Sequence, residues 1–463
     1  MRKQIFFCEQ EDSSFPAADA FLQEPMFSRK WNFASLLRFA FPTMIMMIFM
    51  GLYTIVDTVF VARFVSTDAL SSINIVCPVI NLTVGLGTMI AAGGNAVVSR
   101  KLGAGQEQEA KEDFTLLVLA AAGIGIVVLV CGTLWLDPVL LALGASGRLL
   151  PYCRDYLSLL LLFLPANVIQ TVYANLFVTA GKPGLGFTLS VLAGLANILL
   201  DYVFIVLCGM GIQGAALGTG LGYLLPAAAG TVFFCRNKGA LCFVRPSRKW
   251  AVLTESCLNG SSEMVSQLAA AATTFLFNAA MMELLGEDGV AAVTIMIYSQ
   301  FLLNTLFIGF SMGVAPVIGF HCGSSNKKEL RNILSICIRF LAAASVLISA
   351  ASFLGGRQIV HMFVSDISRV CEIAAAGFPV FSVSFLFCGL NIFTSALFTA
   401  LSNGRVSAVL SFLRTFGLLC GGILLLPRLF GITGVWLAVP AAEGIMFLVS
   451  LGCLIHYRKR YFQ

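Results

Sequence analysis

Two carboxylates in this sequence stand in surroundings that offer them no partner. Asp57 lies in "MIFMGLYTIVDTVFVARF" (47–64), with no basic residue within five positions, and Asp201 lies in "LANILLDYVFIV" (195–206). In mid-span each would cost about 2.5–3.5 kcal/mol on insertion scales, so each asks for a reason. Asn197 precedes Asp201 by four residues, which on a helix places amide and carboxylate on one face. Thr219, in "GMGIQGAALGT", adds a hydroxyl. Oxygen donors of this kind suit a hard cation, and two close carboxylates can instead hold one proton between them. The plainer alternative is a buried polar network that fixes helix packing. Two acids with an amide and a hydroxyl favour ion binding over that.

The second half of the chain has a different set. Arg414 and Glu443 fall well inside apolar runs and read as a structural ion pair, since each makes burial of the other affordable. Glu263 is close enough to a helix end to snorkel. Asn278, Tyr298, Gln300 and Asn304 give this half an uncharged polar lining, with Tyr53 in the first half as a further candidate to line a substrate path. No catalytic residue is assigned. The fourteen cysteines are scattered without CxxC spacing, and His321, His361 and His456 fall at helix ends or in loops. No metal site is expected from them. GxxxxGK[ST] is absent, and "GTGLGY" (218–223) sits in an apolar run with no strand before it, so its glycines read as close helix packing. ATP is therefore not expected as an energy source, and no organic cofactor is implied.

The elements that must position these residues are membrane helices. Hydrophobic residues make up 58% of the chain and charged ones 11%, with a mean hydropathy of +0.91. A soluble domain is about half apolar and a quarter charged. Apolar runs of helical length recur, and the short alternating segments of a transmembrane barrel do not. The fold class is thus an all-α integral membrane protein with twelve transmembrane helices. Approximate limits are 34–63, 70–98, 113–136, 151–179, 186–208, 213–235, 251–283, 289–319, 333–355, 371–401, 406–427 and 432–456. Pro42, Pro78, Pro165, Pro316 and Pro379 mark expected kinks.

Lys and Arg concentrate in alternate breaks, among them Arg100, Lys101, Lys182, Arg236, Lys327, Lys328, Arg405 and Arg458. By the positive-inside rule both termini are cytoplasmic, in keeping with an even number of spans. The net charge of +6 is then a topology signal, and no nucleic-acid partner is implied. On this topology Asp57, Asp201 and Thr219 each lie roughly 10 Å inside the outer end of a helix, counting about 1.5 Å per residue. Four oxygen-bearing side chains from three helices thus share one depth.

The chain also repeats itself. "MIAAGGNAVVSRKLGAGQEQEAKED" (89–113) matches "GFSMGVAPVIGFHCGSSNKKELRN" (309–332), pairing Gly93 with Gly313, Gly103 with Gly323 and Glu109 with Glu329, each 220 residues apart. Gly211, Ile212 and Gly214 pair with Gly431, Ile432 and Gly434 at the same offset, and "ANLFVTAGKP" fits "SALFTALSNG" at 221. A six-helix unit is duplicated, and because six is even the copies form a parallel repeat about an axis along the membrane normal. The expected organisation is a flexible cytoplasmic tail (1–32), an N-terminal lobe (33–235), a linker (236–250), a C-terminal lobe (251–456) and a short tail (457–463). Two lobes about a cleft suit alternating access, and the 39 phenylalanines and 15 methionines could supply an adaptable surface for varied substrates.

"PTMIMMIFMGLYTIVDTVFVARF", "GGNAVVSRKLGAG", "TAGKP" and "LSFLRTFGLLCGGILLLPRLFGITGVWLAVPAAE", in this order over residues 33–456, resemble the multidrug and toxic compound extrusion (MATE) family, prokaryotic type. The resemblance implies two six-helix lobes in a V that export amphipathic or cationic organic compounds in exchange for Na⁺ or H⁺. It implies a cation site at Asp57, Asn197, Asp201 and Thr219, with a main-chain carbonyl near Ala215. Some relatives use acids on the seventh and tenth helices, but the tenth helix here has only Glu372, at its start. A bacterial plasma-membrane protein, multi-pass and working as a monomer on small organic substrates within lipid, is the expectation. The alternatives are a lipid or lipid-linked sugar flippase, whose cavity would hold several cationic residues, and a non-transporting membrane sensor.

Overall fold

A computed structural model describes residues 27–246, 249–363 and 369–462. The described chain is helical almost throughout. The first half contains α1 (Phe33–Phe64), α2 (Thr67–Gly103), α3 (Glu107–Leu134), the short α4 (Leu136–Ala142), α5 (Leu150–Thr179), α6 (Pro183–Asp201) and α7 (Gly211–Arg236). The second contains α8 (Ala251–Leu285), α9 (Glu287–Gly323), α10 (Lys327–Phe363), α11 (Arg369–Ser382), α12 (Phe385–Ala400), α13 (Gly404–Phe412), α14 (Gly421–Phe430) and α15 (Ile432–Tyr461). Among the described residues, eleven helical stretches are long and apolar enough to cross a membrane, or twelve if the pair α11 and α12 counts as one span.

Capping explains where helices begin. Asn32 Oδ1 accepts from the Ser35 N–H at 2.8 Å while Ser35 Oγ accepts from the Asn32 N–H at 2.9 Å, a reciprocal cap for α1. Ser66 Oγ caps α2 through the Ala69 N–H at 3.1 Å. The duplication persists in backbone geometry. Left-handed residues recur at matching turns: Gly105 and Ser325 (φ 76° and 53°), Gly181 and Ser402 (73° and 56°), Gly211 and Gly431 (57° and 56°). These pairs stand 220, 221 and 220 residues apart, the offsets of the sequence repeat.

Three features depart from the sequence expectation. The tenth span is broken, with α11 and α12 meeting at 59°. The break falls at Val383 and Ser384, just beyond Pro379, and serine hydroxyls bond the carbonyls beside it. Ser349 Oγ donates to Ser382 O at 2.9 Å, Ser382 Oγ to Pro379 O at 2.7 Å and Ser384 Oγ to Phe381 O at 2.7 Å. The fifth and eleventh spans change pitch, through π turns at Tyr202–Leu207 and Leu413–Cys420. The tail expected to be flexible to residue 32 is packed over its described part. Phe27 and Trp31 are 5% and 2% exposed, and both rings meet Phe39 of α1. Two aromatic residues in six bury enough apolar surface to hold such a segment down. Residues 1–26 of that tail lie outside the described residues.

The two halves join along α1, α2, α8 and α9. Their closest backbone approaches lie toward the face that carries both described chain ends, termed the terminal face below. Gly93 of α2 abuts Ser256 of α8, and Gly260 abuts Met89. At the terminal face Gly103 and Gly323, the pair matched by the repeat, meet reciprocally. A Cβ on Gly103 would strike the Phe320 carbonyl, and one on Gly323 the Arg100 carbonyl. Only glycine allows helices this close.

Candidate cation site

α1, α6 and α7 meet in the first half of the chain. Asp201 ends the regular turns of α6, 1% exposed, and the π turn begins at the next residue. Such wide turns recur at functional sites because they shift a side chain out of ordinary helical register. Gly218 of α7 lies directly against Asp201 Oδ1, where a side chain would not fit. Four residues on, Gly222 faces Asn197, whose Cβ lies 3.4 Å from the position its own would take. Asn197 and Asp201, four apart on α6, therefore oppose two glycines four apart on α7. Thr219 stands on the same turn, half-buried, and Ala215, 1% exposed, one turn earlier.

Asp57 comes from α1. Phe49 and Tyr53 pack against Gly194, which sets α1 alongside α6, and one turn further the Asp57 carboxylate comes within hydrogen-bonding reach of Asp201. Asp57 Oδ1, Asn197 Oδ1 and both carboxylate oxygens of Asp201 are buried and accept no hydrogen bond from the described residues. Buried polar atoms are nearly always paired, and an unpaired carboxylate is costlier than any neutral group. Four such oxygens on three residues call for positive charge. The donor set is all oxygen, which fits a hard monovalent or divalent cation, and a proton held between the carboxylates answers the same need.

Two residues of this site escaped the sequence reading. Tyr156 of α5, 5% exposed, and Tyr223 of α7 both lie close enough to feel the charge of Asp57, as Tyr53 does. A lone tyrosine in an apolar run also fits a core position. Only its hydroxyl at mid-span hinted at more.

In the second half, Arg414 and Glu443 come together across the π turn and α15. Arg414 Nε and Nη2 both donate to Glu443 Oε1, at 2.9 and 2.7 Å. Asn391 of α12 donates to Glu443 Oε2 at 2.7 Å and receives the Ser450 hydroxyl at 2.8 Å. A buried pair with its remaining lone pairs satisfied meets the geometric condition for stability. Asn278, Tyr298, Gln300 and Asn304 are half-buried on α8 and α9. The Asn278 and Asn304 side-chain oxygens accept no hydrogen bond from the described residues, and none joins Asn278, Gln300 and Asn304 to one another.

A sequence model of the MatE family matches residues 42–203 and 264–419, one block in each half. The chain belongs to the MatE family. The MatE blocks contain Asp57, Asn197, Asp201 and Arg414 and leave Thr219 and Glu443 outside. Over nearly its whole length the chain is similar to the Multidrug export protein MepA of Staphylococcus aureus (strain bovine RF122 / ET3-1), 23% identical over 445 residues that cover 94% of this chain and 95% of MepA. MepA of Staphylococcus saprophyticus is 22% identical over 444 residues, with the same coverage. Solved MatE-type structures share the fold. An outward-facing multidrug resistance MATE family transporter of the MOP superfamily superposes with a TM-score of 0.87 at 20% identity, covering 93% of this chain and 98% of the other. A mutant of the Vibrio cholerae MATE transporter VcmN gives 0.86 at 19% identity, with coverage of 93% and 98%. The two-lobed transporter fold is common to all of them.

Proposed function

We propose that this chain exports amphipathic or cationic organic compounds from the cell in exchange for Na⁺ or H⁺, by alternating access of its two lobes. The observation that carries this reading is the group of unpaired buried oxygens on Asp57, Asn197 and Asp201. The name multidrug export protein, borne by the MepA relatives, supports the substrate class. The terminal face is cytoplasmic, which puts the lysines and arginines of the alternate breaks inside. The lobes are residues 33–235 and 251–456, joined by a linker at 236–250. The protein works as a monomer in a bacterial plasma membrane, driven by the ion gradient rather than by ATP.

Asp57, Asn197, Asp201 and Thr219, with the carbonyl of Ala215, hold the coupling cation. Its charge neutralises carboxylates that otherwise repel, drawing α1 toward α6 and α7. Because α1 also packs on α9 of the other lobe, through Gly309 on Met44 and Gly313 on Ala40, that motion reaches the cleft between the lobes. Tyr53, Asn278, Tyr298, Gln300 and Asn304 line the substrate path. Arg414 and Glu443 form a structural ion pair of the second lobe.

The test uses proteoliposomes loaded with a fluorescent cationic dye, under a Na⁺ gradient and then a pH gradient. Wild type is expected to move dye under one of the two, and Asp57→Asn with Asp201→Asn under neither. Equal movement by both proteins would remove the coupling role of the acids.

A further inference from the structure

Glu109 and Glu329 are matched by the repeat, yet ion exchange at Asp201 gives them no task. Each opens a helix at the terminal face, Glu109 in the first turn of α3 and Glu329 in that of α10. Each reaches the segment that leads into the first helix of the other half. Glu329 Oε1 accepts the main-chain N–H of Trp31 at 2.7 Å. Asn332 Nδ2 donates to the Trp31 carbonyl at 2.7 Å and to Glu329 Oε1 at 3.1 Å. Both main-chain groups of Trp31, two residues before α1, are thus taken by α10. Phe27 adds a ring contact to Phe320 of α9 at 5.7 Å. On the matching side, Glu109 Oε2 faces Lys249 Nζ at 3.5 Å, two residues before α8, and Lys101 Nζ at 2.9 Å. Arg100 of α2 pairs with Glu255 of α8 at 2.8 Å.

The two sides differ in strength. Lys249 is 65% exposed, and an exposed ion pair holds little. The Trp31 contacts are part-buried and include a charged acceptor, which makes them the stronger kind. They also stand beside the reciprocal approach of Gly103 and Gly323, since Phe27 meets Phe320, whose carbonyl lies against Gly103.

We propose that Glu329 and Asn332 form a latch on Trp31 that keeps the terminal face closed and sets how often it opens. Both are positioning residues for transport. The inference rests on the alternating-access reading, under which this face must open in every cycle. The contrary reading is an anchor that merely holds down the chain before α1.

Hydrogen–deuterium exchange on the full-length protein in lipid nanodiscs separates the two. Glu329→Ala and Asn332→Leu are expected to raise exchange about ten-fold, the loss of one bond to a charged group, not only over residues 27–40 but also over 99–105 and 313–323. Glu329→Gln, which keeps an oxygen acceptor but loses its charge, should fall between wild type and Glu329→Ala. A rise confined to 27–33 in Glu329→Ala and Asn332→Leu overturns the latch. Should Glu329→Ala fail to fold, Asn332→Leu carries the comparison alone. Dye efflux is measured in parallel on the same samples. Wild type that moves no dye while its variants exchange as described would refute the exporter and leave the latch standing.

Discussion

Asp201 carries more unanswered charge than any other residue described here, with two buried oxygens and a second carboxylate in reach. Buried charges left without a partner trade stability for function. Neutralising them should therefore loosen function without loosening the fold. Asp201→Asn is expected to lower dye efflux at least ten-fold while melting no earlier than wild type in the same detergent. A variant that melts several degrees earlier would show the carboxylate to be a structural partner. Gly218 makes the complementary prediction. Its Cα faces Asp201 Oδ1 so closely that a methyl group must displace the carboxylate. Gly218→Ala should weaken cation binding, read by calorimetric titration of Na⁺ or by proton uptake, and leave the distant pair of Arg414 and Glu443 intact.

Elements supply the settings. The π turns at Tyr202–Leu207 and Leu413–Cys420 fall in matching spans of the two halves, each at a charged residue, Asp201 just before the first and Arg414 within the second. In one half the charge is left open to a cation and in the other it is closed by Glu443. Removing one partner of such a buried pair costs about 3–5 kcal/mol. Glu443→Ala should lower the melting temperature markedly, and Arg414→Leu combined with it should recover part of the loss, a coupling that a double-mutant cycle reads directly. Turns offer a smaller effect. Ser402 adopts φ 56°, where its counterpart in the first half is Gly181, and its buried hydroxyl has no partner among the described residues. Ser402→Gly should stabilise by up to about 1 kcal/mol, the relief of a left-handed side chain.

At the scale of the whole molecule, two halves meet about a pseudo-two-fold axis, and Gly103 with Gly323 marks where that axis leaves the terminal face. Symmetry makes a prediction that no single contact does. Gly103→Val and Gly323→Val should impair transport to a similar degree, because each side chain strikes the same carbonyl geometry on the opposite helix. Efflux rates that differ more than ten-fold between the two variants would mean the halves do not share the gate equally.

The sequence by itself determined the membrane class, the number of spans and the duplication. These follow from apolar run length and from residue identity at a fixed offset, both local or one-dimensional signals. It also singled out Asp57, Asn197 and Asp201, because a charge inside an apolar run is conspicuous without any structure. Tertiary structure alone decided what meets those charges. That glycines of α7 face both polar residues of α6, that Tyr156 and Tyr223 stand near the acids, and that Trp31 is bonded to α10 all depend on contacts between distant segments. Glycine, tyrosine and tryptophan are common in membrane helices and at their ends, so no local pattern sets these apart. The break just beyond Pro379 was half legible. Proline announces a kink, but a turn of 59° at Val383 and Ser384 depends on which neighbours satisfy the carbonyls beside it, here Ser349, Ser382 and Ser384.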